Sequence, residues 1–253
     1  MVETNWHLET PSGEQLSAEE LQAISRIRAS YASLPGFKHP LWEFLKTGDY
    51  DAAVLKHFAL LYYPHVREFR RYLAGAITVA SVESLQAELA EILAEEYGRR
   101  FDPDLMAYTP AHPELYRDFM RSLGVTEDEW TRIPMSPGLD AMKGEIFELV
   151  QNRMEEHVLG AIIFGMEATT PYRHQCVTMG IERVMEREGI VVDHRFFSRH
   201  IDVDPRHGQS LLMPIRSWLA DDARVFGLID GAARAFSARA IFLDEVFTTL
   251  TKR

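Results

Sequence analysis

Apolar residues along the chain recur every three to four positions and almost never alternate, the pattern of helices laid against a shared core rather than of a sheet. Leu21, Ile24 and Ile27 share one face of a first helix over residues 17–34. A capping box, Ser17 with Glu20, opens it, and Pro35 and Gly36 stop it. A short aromatic turn after Pro40 carries Leu41, Trp42 and Phe44, and Gly48 separates it from a long apolar helix over residues 49–80 that Pro64 is expected to kink. Leu85, Leu89, Ile92 and Leu93 predict a helix over 84–97 that ends at Gly98, and residues 99–111 read as a polar loop. Pro113 suits the start of a helix bearing Leu115, Tyr116 and Phe119, and Thr126 with Glu129 forms a second capping box.

After a breaker at 134–138, the helical period runs on from 139 to 167 through Met142, Ile146, Leu149, Val158 and Ile162. Pro171 marks the turn after it, and further helices fit residues 172–188, 194–204, 210–220 and 221 to the end. Helix signals alone over such a length imply an all-α bundle of about seven to eight helices. No repeat or linker interrupts the pattern, so a single domain over 17–253 is expected, preceded by a flexible arm, residues 1–16, containing Pro11, Ser12 and Gly13.

Charge and cysteine content narrow the function. A net charge of -11 over 253 residues disfavours nucleic acid or an anionic membrane as partner, which leaves a small-molecule substrate as the expectation. The longest apolar run, residues 158–166, is far short of the ~20 residues that span a bilayer. The opening MVETNWHLE lacks the basic and apolar character of a signal segment, so a soluble cytoplasmic protein is expected. The single cysteine, Cys176, cannot form an internal disulfide or a paired-thiolate metal site. Any metal must be held by histidines and carboxylates.

Such residues concentrate in FFSRHIDVDPRHGQS, residues 196–210, where His200, Asp204 and His207 stand four and then three residues apart and so share one side of a helix. Pro205 interrupts that segment and is expected to break it near Asp204. Acidic residues on apolar faces elsewhere are the natural complement in a bundle. Glu96 follows Leu93, Ile92 and Leu89 at helical spacing, whereas Glu95 shares its face with Glu91 and Glu88, which makes Glu96 the preferred ligand and Glu95 the alternative. Glu167 ends the apolar stretch VLGAIIFGME. Glu68, beside His65 and Tyr72, is a further candidate, although Arg67 and Arg71 offer it ion pairs.

Taken in order, Glu96 in AEEYG, His112 in AHPELY, Glu167 in FGMEATTP and His200, Asp204 and His207 in the last motif make the chain resemble the heme-oxygenase-like diiron oxidases and oxygenases. The resemblance covers about residues 40–250, with an interval between Glu96 and His112 that is long for the family. It implies a heme-oxygenase-like bundle, six metal ligands with Glu68 as a possible extra one, two iron ions cycling between Fe2+ and Fe3+, and O2 as cosubstrate. Manganese also suits such a mixed shell. Sorting Glu96, His112 and His207 to one iron and Glu167, His200 and Asp204 to the other is the working assignment. The resemblance further implies that the helix bearing the last motif orders as metal binds.

The implied reaction is oxidation of a small amino acid or amine, by N-oxygenation or by oxidative C–C cleavage or desaturation, in natural-product biosynthesis, with an external electron donor and a homodimeric assembly as companion expectations. N-oxygenating members carry an extra glutamate where Glu68 falls, which leans the substrate towards an amine. A substrate carboxylate would need a partner such as Arg67, Arg70, Lys143 or Arg173, and Tyr62, Tyr63, Phe196 and Phe197 are candidate pocket walls. Two rival readings keep the bundle. One is a metal-free, thiaminase-like or cofactor-biosynthesis enzyme that works through Cys176 or a histidine; the other is a helical binding protein without a reaction.

Overall fold

The computed structural model describes residues 16–102 and 106–252, with the side chains of residues 102 and 202–205 outside that description. The expected arm therefore lies outside the described residues except for Leu16. Eight α-helices of eleven or more residues build the bundle among the described residues: α1 (Ala18–Tyr31), α3 (Ala52–Val79), α4 (Glu83–Glu96), α5 (His112–Ser122), α7 (Pro137–Gln151), α9 (Thr170–Glu188), α10 (Arg195–Leu212) and α11 (Asp222–Thr251). Three shorter ones, α2 (Pro40–Thr47), α6 (Glu127–Arg132) and α8 (Glu155–Leu159), complete it. The fold is an all-α bundle with one small exception: β1 (Phe101–Asp102) and β2 (Ala107–Tyr108) pair antiparallel inside the stretch read as a polar loop.

Local chemistry explains the helix starts. Ser17 and Thr126 both form capping boxes, with Glu20 and Glu129 returning a carboxylate to the cap backbone. His39 caps α2 through Nδ1, which accepts from the Leu41 N–H at 3.1 Å, while its Nε2 faces Asp244 Oδ1 at 3.1 Å on α11. α3 continues through Pro64 as one helix of 28 residues. The proline forfeits one backbone bond, which burial of Tyr62, Tyr63, His65 and Val66 around it offsets. α11 packs on α1, α7 and α8, α10 on α9, and α3 on α4, α5 and α7. Among the described residues, no helix is long and apolar enough to cross a membrane.

Two expectations need correction. The helix read across residues 139–167 is divided: α7 stops at Gln151, Arg153 takes a left-handed φ of 53°, and α8 runs into a π-helical turn, Gly160–Phe164, and then a 3-10 turn, Glu167–Thr169. The apolar period is helical on both sides, but the polar Asn152 and Arg153 let the chain turn between them. Conversely, α10 is not broken at Pro205; it reaches Leu212, followed by a 3-10 segment, Met213–Ala220. Phe197 and His200 before the proline and His207 and Leu211 after it are buried, and that packing outweighs one absent N–H.

Candidate metal centre

Glu96 is the last residue of α4 and His112 the first of α5, so the site begins at a junction of two helix ends. Gly98, at a left-handed φ of 65°, turns the chain there; a Cβ on it would lie 2.7 Å from the Ala111 nitrogen. The β1–β2 hairpin is thus an excursion between two points that nearly touch, which accounts for the long interval between the two residues. His112 Nδ1 lies 2.6 Å from Glu96 Oε1, both side chains being buried. With the carboxylate accepting, Nδ1 carries the proton, and His112 Nε2 is buried without a partner.

His200 reaches the same point from α10. Its Nδ1 donates to the Phe196 carbonyl at 2.5 Å, which leaves Nε2 as the lone-pair nitrogen. Its ring centroid is 4.3 Å from that of His112 and 5.0 Å from that of His174. Glu96, His112 and His200 each offer a ligand atom within 4.8 Å of the others, all three buried. Burial, reinforced by the neighbouring His112 and His174, holds the His200 imidazole well below its usual pKa, so it is neutral and able to bind a metal.

Glu167 and His207 stand beside this group. Glu167 follows the π-helical turn and is 2% exposed; its Oε2 is 3.7 Å from His207 Nδ1, while its Oε1 is buried and unpartnered. His207 Nε2 faces Glu95 Oε2 at 3.3 Å. Glu95 is therefore not on an exposed face with Glu91 and Glu88, as the helical count has it, but 2% exposed. Arg100 and Arg199 bond it at 2.8 Å each. Burial pushes its carboxyl up, but the bonds from His207, Arg199 and Arg100 outweigh that and hold it below the usual carboxylate range.

The grouping differs from the working assignment: His200, not His207, joins Glu96 and His112. Because α10 is continuous, the seven-position step from His200 to His207 separates them by about 10 Å along the axis. They thus meet different partners. The Asp204 side chain lies outside the described residues. Glu68 does not join the group; its carboxylate pairs with Arg71 at 2.9 Å, one turn along α3.

A cavity of about 50 Å³ opens against the cluster, lined by Glu96, Glu167 and His200 together with His65, His174, Arg173 and Arg239. Of the expected walls, Tyr62 and Phe196 line it and Tyr63 and Phe197 do not; of the expected cationic partners, only Arg173 does. Sequence reasoning does not single out His65, His174 or Arg239 as site residues. Arg239 has a readable signal, since Phe236, Phe242 and Leu243 place it on the apolar face of α11. Burial also keeps the His65 and His174 imidazoles neutral.

The donor chemistry fits iron: imidazole nitrogens and carboxylates converge, and two of them, His112 Nε2 and Glu167 Oε1, are buried with no partner of their own. Fold and site together define a heme-oxygenase-like helical protein with a buried Glu/His centre. A family profile described as iron-containing redox enzyme matches residues 56–240, and the chain belongs to that family. Among solved structures, a CADD-like protein of unknown function from Nostoc punctiforme is similar at TM-score 0.72 and 16% identity, covering 92% of this chain and 99% of its own. A TenA homolog from Pseudomonas syringae pv. tomato gives 0.67 and 14%, covering 95% and 96%. A domain of unknown function with a heme oxygenase-like fold from Shewanella denitrificans gives 0.65 and 11%, covering 91% and 90%. No curated protein sequence matches the chain.

Proposed function

We propose that the chain is a non-heme diiron enzyme that uses dioxygen to oxidise a small metabolite. The observation that carries this reading is the buried group of Glu96, His112 and His200, in which both histidines have Nδ1 committed to an acceptor and His112 Nε2 lacks a partner. Membership of an iron-containing redox family supports the metal identity. In this reading Glu96, His112 and His200 hold one ion, and Glu167 and His207 supply donors for a second, with Asp204 as the remaining ligand. Bound iron supplies the electron transfer to dioxygen that no side chain in the cavity can perform.

The chain's own residues do the rest. The Phe196 carbonyl fixes the His200 tautomer, and Glu95 orients His207 while Arg199 and Arg100 keep it ionised. Tyr62, Phe196 and Met166 supply apolar lining to the small cavity beside these groups. Since Glu68 pairs with Arg71, the lean towards N-oxygenation loses its residue, and oxidative C–C cleavage or desaturation of an amino acid stands level with it.

The thiol-based rival is disfavoured by position. Cys176 is 3% exposed, its thiol is pushed up by burial, and it does not line the cavity. The deciding experiment is anaerobic titration with ferrous iron, followed by a dioxygen pulse under optical detection. About two irons per chain and a transient visible band are expected, with both lost in H200A and retained in C176A. Failure of the wild-type chain to bind iron would overturn the proposal.

A further inference from the structure

Arg239 is 1% exposed at the middle of the longest helix, yet no carboxylate pairs with it among the described residues. One of its nitrogens serves the fold, for Nη1 donates to the Gly165 carbonyl at 2.7 Å, at the end of the π-helical turn that leads to Glu167. The other two, Nε and Nη2, are buried and have no partner. These two lie on the same edge of the guanidinium plane, the edge that donates two parallel N–H bonds to a carboxylate. A buried cation with two of its three nitrogens unpartnered is an unfavourable arrangement unless something supplies the acceptors.

The cavity decides what that is. Arg239 lines it, and so does Arg173, whose Nη2 donates to Thr170 Oγ1 at 2.6 Å and to the Met166 carbonyl at 3.2 Å. His65 and His174 contribute neutral rings, while Tyr62, Val66, Phe69 and Met166 supply apolar wall. The two acids of the cavity, Glu96 and Glu167, belong to the metal-facing group with His112, His200 and His207. The Arg239 guanidinium therefore stands at the cavity without an anion of the protein's own to meet it.

We propose that Arg239, with Arg173 lining the same cavity, anchors the carboxylate of the substrate, so that the enzyme acts on a small carboxylic acid held by its acid end while the rest of the molecule faces the Glu96, His112 and His200 group. This deepens the function proposed above and rests on it for the reaction, but not for the binding event. A planar carboxylate has the two oxygens that match the paired Nε and Nη2 donors, and Arg239 lines a cavity of about 50 Å³. An amine group alone would bring a further cation to a place that already holds two.

Calorimetric titration tests this on both the metal-free and the anaerobic ferrous protein, with acetate, butanoate and hexanoate as probes and butan-1-amine and inorganic phosphate as comparators. The expected result is saturable binding of at least one carboxylate to the metal-free wild type, weakened at least tenfold in R239K, with no binding of the amine or of phosphate. Lysine keeps the charge and one donor for Gly165 but loses the paired edge, and thermal unfolding within a few degrees of wild type would show that the fold is retained. R239M serves if R239K does not fold; loss of folding in both would assign Arg239 to structure alone and overturn the proposal. Carboxylate binding unchanged in R239K, absent from the wild type, or replaced by binding of phosphate alone would also overturn it. Carboxylate binding without iron uptake would remove the metal reading and leave this one standing, and two irons without carboxylate binding would do the reverse.

Discussion

His112 Nδ1, at the start of α5, lies 2.6 Å from Glu96 Oε1, at the end of α4, sixteen positions earlier in the chain. That bond fixes which nitrogen of His112 faces the cluster, and the Phe196 carbonyl fixes His200 in the same sense. Glu96→Gln separates geometry from charge, because the amide oxygen can still accept from Nδ1 while the negative charge is gone. Ferrous affinity at this site is expected to fall by more than ~100-fold, beyond the ~10- to 100-fold typical of losing an orienting partner. Unfolding temperature should move by only a few degrees. Anaerobic iron titration with thermal melts measures both, and wild-type affinity in E96Q would remove Glu96 from the ligand set.

Glu95 stands between His207 and two arginines, so its substitution should act through His207 rather than on the first group. In Glu95→Gln we expect iron uptake to fall from about two ions per chain towards one at sub-saturating iron, with affinity at the weakened site lower by ~10- to 100-fold. Equal weakening of both ions would instead make Glu95 a shared ligand. Iron analysis after gel filtration distinguishes the two.

The features legible in the sequence are periodic or local. The capping boxes at Ser17 and Thr126 sit where the residue pattern puts them, and Glu96, His112, Glu167, His200 and His207 are all buried near one another. The features that escape it are set by long-range packing. A helical count sends Glu95 outward with Glu91, because it cannot know that Arg199 from α10 covers the end of α4. His65 and His174 look like ordinary core histidines until the fold brings α3 and α9 to one cavity. Pro205 misleads as a breaker, since the buried face on both sides of it is readable but the strength of its packing is not.

Three buried neutral imidazoles, His65, His174 and His200, give stability a definite pH dependence. Each is held well below the ordinary histidine value of 6.5, first by burial, so the unfolded chain takes up protons that the folded chain refuses. Stability is therefore full above about 6.5 and falls as pH drops below it, by about 1.4 kcal/mol per pH unit for each imidazole. Glu95 adds a loss of the same sign only below the ordinary carboxylate value of 4.5. Melts of chelated protein from pH 8 to 5 should be flat above about 7 and decline below 6.5, less steeply in His174→Gln. A melting temperature that rises on acidification would mean that these rings are charged in the folded state.

Glu167 owes its place to a backbone contact that only glycine permits. A Cβ at Gly160 would lie 2.2 Å from the Leu228 carbonyl oxygen and 2.7 Å from its Cα, and backbone on α11 cannot step aside as a side chain can. Gly160→Ala must therefore push the π-helical turn away from α11, at a cost of roughly 2 kcal/mol or more even after alanine's better helix propensity. For a chain of this size that is a fall of about 4–8 °C in melting temperature. The displaced turn carries Glu167 and the Gly165 carbonyl that Arg239 holds, so iron affinity should fall together with stability. Gly144→Ala is the matched control: it lies in α7 with open space at its Cβ position, and it should stabilise the chain by roughly 0.5–1 kcal/mol with iron binding unchanged. Equal melting temperatures for the two variants would show that the close approach of Gly160 to Leu228 does not hold the turn in place.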